Sequence, residues 1–177
     1  MTVHYACAGS VAVITIDRPG RRNAVDRDTA TELVDAFTRF AAAPDVDVAV
    51  LQGAGGTFCA GADLQALDAG HGNRVAEDGP GPMGPTRMHL PKPVIAAIEG
   101  HAVAGGLELA LACRYRIAYD DPGTRIGFPE VRLGIFPGYG GTWRAIRLLG
   151  PLPALTLMLQ GRAIGPRAAQ RIGLVDR

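Results

Sequence analysis

Short apolar runs bounded by turn residues alternate along the chain with segments whose apolar residues recur at helical spacing. Four such runs predict strands at residues 11–16, 46–53, 92–100 and 114–119. The first is rich in β-branched residues, and the second and third are typical of strands that are buried on both faces. Strands that alternate with helices favour an α/β fold in which most strands are parallel.

Helical periodicity is clearest after residue 26, where either Asp26 or Asp28 is suited to cap a helix. Its apolar positions are Leu33, Val34, Phe37 and Phe40. A short helix is predicted to begin at residue 62, and another follows the glycines at 105 and 106. Three more are predicted near the C-terminus, at residues 142–150, 151–161 and 165–175. The intervening segment 124–141 is expected to be extended and looped.

The stretch from about residue 69 to 87 lacks periodicity and is rich in glycine and proline. This composition predicts a mobile surface loop over residues 71–87. The 177 residues are enough for one domain, residues 1–177, with its own hydrophobic core. A content of 47% apolar and 20% charged residues is that of a globular protein.

Charge and cysteine usage argue against several classes of protein. The net charge of +1 gives no general attraction for nucleic acid or for an anionic membrane surface. The most apolar window, residues 94–113, contains Glu99, His101 and Glu108, so a transmembrane helix is not expected. The N-terminus lacks a signal-peptide pattern, and the three cysteines form no CxxC motif. A reduced, cytoplasmic location is therefore expected.

Two glutamates lie in unusual surroundings for charged residues. The helical neighbours of Glu108, three and four positions away, are the apolar residues Ala104, Gly105, Leu111 and Ala112. Glu130 follows Phe128 and Pro129 in a second apolar context. Burial raises the pKa of a carboxyl group because desolvation disfavours the charged form, and this suits proton transfer near neutral pH. Glycines at a helix N-terminus leave free N–H groups that can point at a substrate oxygen.

Three other kinds of site are weighed against this pair of carboxyl groups. The glycine-rich turn at residues 53–63 lacks the Lys-Ser/Thr of a P-loop and the third glycine of a dinucleotide motif. Ser10 is the only serine, and no nucleophile-elbow motif surrounds it. No metal site is expected, because no ligand spacing relates the four histidines, His4, His71, His89 and His101.

Five motifs resemble the crotonase, or enoyl-CoA hydratase/isomerase, superfamily. In chain order they are RPGRRNAV, FCAGADL, PKPVIAAIEGHAVAGGLELALAC, FPEVRLGIFPGYGGTWR and AQRIGLVDR. The resemblance runs from near the N-terminus to the last residue. It implies a crotonase-like α/β spiral of ββα units. It also implies an acyl-CoA thioester substrate and no separate cofactor, since the coenzyme A is part of the substrate.

The same resemblance implies roles for individual residues at the reacting centre. The backbone N–H groups of Ala62 and Gly105 match an oxyanion hole that holds the thioester carbonyl. Glu108 matches the residue that polarises the attacking water, and Glu130 matches the one that exchanges a proton with C2. Gly138 matches a backbone group that helps to hold the water.

The expected CoA-binding residues also follow from the resemblance. The backbone around Ala60, Ala62 and Leu64, with Asp63 between them, matches the family's adenine-binding strip. Arg21 and Arg22 lie where the family places basic groups near the CoA phosphates. Two positions depart from the family pattern, since Gly20 replaces its usual basic residue and Arg114 replaces its usual aspartate.

The two acids favour an enoyl-CoA hydratase-type lyase in fatty-acid β-oxidation or related acyl-CoA metabolism. The alternatives are a 3,2-enoyl-CoA isomerase and a non-catalytic acyl-CoA-binding subunit or fragment. The family's C-terminal helical region is absent here, as expected of either a fragment or a short form. A homo-oligomer, a trimer or hexamer, is implied by the resemblance. Two C-terminal apolar faces predict self-association or a partner: Leu152, Leu155 and Leu159, and Ala168 and Ile172.

Overall fold

The computed structural model describes residues 1–177 and contains two β-sheets surrounded by helices. The larger sheet has the strand order β1-β2-β3-β4-β6. Its strands are β1 (Val3–Ala8), β2 (Val11–Ile16), β3 (Val48–Gly53), β4 (Val94–Ile98) and β6 (Tyr115–Ala118). Only β1 runs antiparallel to its neighbour, and the other pairs are parallel. The four strands predicted from apolar runs are all in this sheet, and the prediction of a mostly parallel sheet is confirmed.

Helix α1 (Arg27–Ala42) contributes the aromatic part of the core. Its residues Leu33, Phe37 and Phe40 are at most 1% exposed. Asp26, rather than Asp28, is the N-cap, and its side chain accepts a hydrogen bond from the Thr29 N–H at 2.9 Å. Asp28 lies inside the first turn, where its negative charge interacts favourably with the positive end of the helix dipole.

The second sheet is small and was not predicted from the sequence. Strands β5 (His101–Val103) and β7 (Arg125–Gly127) pair in parallel and have three residues each. Runs of this length carry too little periodicity to separate a strand from a loop. The edge strand β1 was also missed, since most of its residues are not buried. The small sheet matters because α3 (Gly105–Ala112), which bears Glu108, begins directly after β5.

The remaining helices are close to the predicted ones. They are α2 (Leu64–Asp68), α4 (Gly141–Leu149), α5 (Pro151–Gln160) and α6 (Pro166–Arg171). Helix α6 ends before the predicted limit, because residues 174–177 lie along the edge of β6. There the Asp176 N–H donates to the Arg116 carbonyl, and the Ala118 N–H donates to the Arg177 carbonyl. No helix in the structure has both the length and the hydropathy required to cross a membrane.

The glycine- and proline-rich stretch 71–87 is only partly a surface loop. Residues 81–86 are buried, and Met83 is completely so. A short 3-10 turn at Pro85–Arg87 packs between α1 and α3. The surface prediction is therefore wrong for residues 81–86, because tertiary packing covers a segment that has no periodic pattern of its own. The mobility of residues 71–80 stays a prediction.

Candidate active site

Two backbone N–H groups from distant parts of the chain lie side by side. A methyl group built on Gly105 would be 3.4 Å from the Ala62 nitrogen, and one built on Gly61 would be 3.1 Å from the Gly105 nitrogen. Neither the Ala62 nor the Gly105 N–H donates a hydrogen bond within the protein. Two free donors so close together can bind one oxygen atom, which is the requirement for an oxyanion hole.

Close backbone packing produces this arrangement. A β-bridge joins Cys59 to Ala102, so the glycine-rich turn runs beside β5. The helix that follows can approach only because Gly106 has no side chain, since a Cβ there would be 2.1 Å from the Cys59 carbonyl oxygen. Ala104 precedes the helix with φ 51° and ψ −130°, a strained conformation for a non-glycine residue. Such strain is a common feature of functional turns.

A cluster of ion pairs fixes the position of the Ala62 N–H, the second of the two donors. The Arg18 guanidinium is 3.0 Å from the Asp63 carboxylate and 2.6 Å from that of Asp26. Asp63 also caps α2, where its Oδ1 accepts hydrogen bonds from the N–H groups of Gln65 and Ala66. Ala62 is thus fixed between a capped helix and the β-bridge to Val25. The structure gives the Asp63 side chain a structural role, and contact of its backbone with CoA stays a prediction.

Glu108, on α3, is buried at 2% exposure, and only one of its two carboxyl oxygens is hydrogen-bonded to the protein. Its Oε1 accepts hydrogen bonds from the backbone N–H groups of Tyr139 and Gly141, both at 2.7 Å. Burial raises the pKa of Glu108, while these two donors and the positive charge of Arg144 act in the opposite direction. Its second oxygen accepts no hydrogen bond from the protein and is free to bind water.

Glu130 has a very different environment at nearly the same depth. It begins the 3-10 turn Glu130–Leu133, is 4% exposed, and neither of its carboxyl oxygens has a hydrogen-bond partner. Burial raises the pKa of Glu130 to about 7, and the charge of Glu108 adds to the increase. The two carboxyl groups therefore differ in what surrounds them: two N–H donors favour the ionised form of Glu108, whereas no protein donor contacts the carboxyl oxygens of Glu130, and this favours its protonated form.

The structure brings some of the predicted CoA-binding residues together at the surface. Arg21 and Arg22 are exposed, and the Ala60 N–H donates to the Arg22 carbonyl at 3.0 Å. Leu64 is 55% exposed at the start of α2. The basic pair and the strip that contains Ala62 are thus neighbours on one surface.

The loop before α4 holds Glu108 through residues that the sequence reasoning missed. Gly138, the predicted water-holding position, is exposed, and the two donors to Glu108 come from the following residues Tyr139 and Gly141. Whether Gly138 binds water stays a prediction. The glycine-rich run PGYGG was a signal for exposed N–H groups, but it did not indicate which of them face Glu108.

The two buried glutamates do not line the main cavities of the structure. A cavity of about 920 Å³ lies at the carboxyl ends of β3, β4 and β6, and neither Glu108 nor Glu130 lines it. The buried carboxyl groups and the free N–H donors therefore mark the candidate site, and this cavity does not. The structure contains no group of three or more His, Cys, Asp or Glu side chains that could hold a metal ion.

The sequence model of one family, enoyl-CoA hydratase/isomerase, matches residues 7–177. The chain belongs to this family. It is 40% identical over 170 residues to crotonyl-CoA hydratase of Syntrophomonas wolfei, a match that covers 94% of this chain and 65% of the relative. The crystal structure of an enoyl-CoA hydratase from Mycobacterium tuberculosis superposes with a TM-score of 0.91 at 37% identity. That match covers 99% of this chain and 68% of the other, and it confirms the predicted crotonase-like fold.

Longer relatives contain the same domain as one part. The fatty acid oxidation complex subunit alpha of Vibrio campbellii is 38% identical over 173 residues, which are 94% of this chain and 24% of that subunit. The chain thus spans about a quarter of the length of such subunits and about two thirds of the hydratases named above. The resemblance of the motifs to the crotonase superfamily is confirmed.

Proposed function

We propose that this chain carries the active site of an enoyl-CoA hydratase-type lyase, which adds water across the double bond of a 2-enoyl-CoA. The observation that carries the proposal is the contrast between Glu108, which accepts two N–H bonds, and Glu130, which has none. Both lie in the domain that presents two free N–H donors. An acid and a base of this kind are what the addition of water to an enoyl thioester requires.

In this mechanism, the thioester oxygen binds to the N–H groups of Ala62 and Gly105. The water held by Glu108 attacks C3 and transfers one proton to that carboxylate, so that the double bond shifts to a C1–C2 enolate. The two donors stabilise the negative oxygen, each contributing about 3–4 kcal/mol. Glu130 then donates its proton to C2, and proton exchange with solvent restores the pair. No cofactor is needed beyond the CoA of the substrate.

The rest of the substrate would extend over the neighbouring surface. The backbone around Ala60, Ala62 and Leu64 is proposed to bind the adenine, and the guanidinium groups of Arg21 and Arg22 to bind CoA phosphates. The names of relatives that act on crotonyl-CoA or belong to fatty acid oxidation complexes support acyl-CoA metabolism as the setting.

Turnover of crotonyl-CoA, followed as loss of enoyl-thioester absorbance, tests the proposal. We expect hydration by the unmodified chain and its loss in both Glu108→Gln and Glu130→Gln. Binding of acyl-CoA without turnover in calorimetry would instead indicate a non-catalytic binding subunit.

A 3,2-enoyl-CoA isomerase is the second candidate, because the family includes isomerases and Glu130 alone can exchange protons at carbon. An isomerase of this kind needs one base, so it retains activity on a 3-enoyl-CoA when Glu108 is replaced by Gln. A hydratase that uses both acids does not.

A further inference from the structure

Arg144, on α4, is a half-buried guanidinium that forms no ion pair with any carboxylate. Its hydrogen bonds go to backbone carbonyl groups: Nη2 donates to Thr86, and Nη1 donates to Tyr139 at 3.4 Å. Its Cζ atom also lies 4.9 Å from the centre of the Trp143 ring. Burying a charge in this way is costly, and a structural bridge between two loops does not by itself require a cation.

The two carbonyl groups belong to the two sides of the candidate active site. Thr86 closes the buried segment 81–86, in which the Met83 sulfur would be 3.0 Å from a methyl group on Gly105. Tyr139 is the residue whose N–H donates to Glu108. One guanidinium therefore ties the segment that packs on the oxyanion donors to the loop that holds the base.

The charges around Glu108 and Arg144 also link Arg144 to the candidate active site. Arg144 is the charged group that acts on Glu108, and Glu108 in turn raises the pKa values of Glu130 and Tyr139. The charged or titratable groups that act on Arg144 are Glu108, Cys113 and Arg87, the last of which repels it. The positive charge of Arg144 lowers the pKa of Glu108, against the effect of burial. Arg144 is the only cation that acts in this way on the pair of glutamates.

We propose that Arg144 is a positioning residue for the hydration reaction: it holds the Tyr139–Gly141 donors against Glu108, and its positive charge favours the carboxylate form of that side chain. The proposal rests on the proposed function for its effect on turnover. The effect of Arg144 on the pKa of Glu108 can be measured without turnover and does not depend on the proposed function.

Arg144→Gln and Arg144→Lys test the two parts separately. The first removes the charge and the second keeps it, but a lysine ammonium cannot reproduce the planar fork that reaches both carbonyl groups. Arg147→Gln is the matched control, because Arg147 lies on the same helix and its Cζ is 5.4 Å from the same Trp143 ring, but it is exposed. The readouts are kcat, KM and the titration of the Glu108 carboxyl by carbon-13 NMR.

In Arg144→Gln, we expect the pKa of Glu108 to rise, because the positive charge that lowers it is lost, and kcat to fall at least about tenfold, with KM changed less than kcat. Arg144→Lys is expected to restore the pKa but only part of kcat. If the Gln variant does not fold, the Lys variant carries the test through its separated effects on pKa and kcat.

Two results would overturn the proposal. One is a folded Arg144→Gln variant whose Glu108 titration and kcat equal those of the unmodified protein. The other is an equal change in Arg147→Gln. If the unmodified chain does not hydrate crotonyl-CoA, the proposed function fails, and the Glu108 titration still decides the role of Arg144.

Discussion

At the scale of single residues, the two buried glutamates differ in hydrogen bonding rather than in depth. Glu108 and Glu130 are 2% and 4% exposed, yet only Glu108 has protein donors. An unpartnered buried carboxyl group costs stability when it ionises, because no donor replaces the lost water. Folding therefore preserves a proton on Glu130 that a surface glutamate would lose.

The first prediction is that Glu130→Gln lowers kcat for hydration about 10²–10⁴-fold while acyl-CoA binding persists. Glutamine has the shape of the protonated acid but cannot donate a proton to carbon. Steady-state kinetics and calorimetric binding provide the measurement, and Glu99→Gln, at an exposed position, is the control. An unchanged kcat in Glu130→Gln would remove this residue from the mechanism.

The second prediction concerns stability and pH. The pKa of Glu130 is raised to about 7 in the folded state from 4.5, so folding stabilises its protonated form. This contribution is fully present below the unfolded value and is lost as pH rises through the folded value. Between about pH 5 and pH 8, the free energy of unfolding should therefore fall by roughly 1–3 kcal/mol on account of this group.

Urea denaturation of the unmodified protein and of Glu130→Gln at both ends of this range measures the effect. Glutamine does not titrate, so the stability of the variant relative to the unmodified protein should increase with pH. A constant difference between the two proteins would show that Glu130 does not titrate in this window.

The third prediction addresses the oxyanion donors. Gly105→Ala would place a methyl group 3.4 Å from the Ala62 nitrogen, in the space that a thioester oxygen needs. We expect kcat/KM to decrease by about 10²-fold with little loss of stability, since alanine is favourable at a helix start and the Met83 side chain can move. Kinetics and thermal unfolding test this together. A variant with full activity would place the donor elsewhere.

At the scale of elements, the site depends on how closely α3 approaches the glycine-rich turn. Helix α3 begins at Gly105 and is buried along almost its whole length. The strands beside it are only three residues long, so their hydrogen bonds alone do little to fix its position. Close packing of Gly106 against the Cys59 carbonyl provides the remaining constraint.

The fourth prediction is that Gly106→Ala destabilises the protein by roughly 3 kcal/mol or more. Its Cβ would be 2.1 Å from the Cys59 carbonyl oxygen, a backbone atom that can move only if the turn moves too. Gly165→Ala is the control, because nothing lies within 4 Å of a Cβ there. Equal denaturation midpoints for the two variants would contradict this account of the packing.

At the scale of the whole molecule, many of the exposed apolar side chains belong to a few consecutive elements near the C-terminus. These elements are the 3-10 turn after Pro129, the following loop, α4 and α5, and α5 packs against both the 3-10 turn and α4. Their apolar side chains that are at least half exposed are Leu133, Ile135, Phe136, Trp143, Leu152 and Leu159. Their extent favours a protein interface, since soluble surfaces seldom carry so many large apolar groups together.

The fifth prediction is that the isolated chain self-associates through this region. Leu152 and Leu159, 76% and 71% exposed on α5, are suitable sites for a double substitution by Glu. Light scattering should show smaller particles for this variant, with an unchanged melting temperature. Leu67→Glu, at a 59% exposed position on α2, is the control. A monomeric unmodified chain at micromolar concentration would contradict the prediction.

The sequence by itself determined the family, four strands of the main sheet and the positions of most helices. These features have local causes. The β-branched residues of β2 favour an extended strand, and the periodicity of Leu33, Phe37 and Phe40 marks the buried face of α1. The Asp26 side chain caps the same helix three residues along the chain. The motifs around Glu108 and Glu130 indicated the two acids for the same reason, since each lies in an apolar stretch.

Only the tertiary structure decided how these acids differ. The Tyr139 and Gly141 donors lie more than thirty residues from Glu108, and no local pattern specifies which N–H groups of a glycine-rich loop face a distant helix. The burial of residues 81–86 and the Arg144 bridge to Thr86 likewise depend on contacts between remote segments. Hydrogen bonding and desolvation set the pKa values of buried groups, and both arise from the packing of segments that are far apart in sequence.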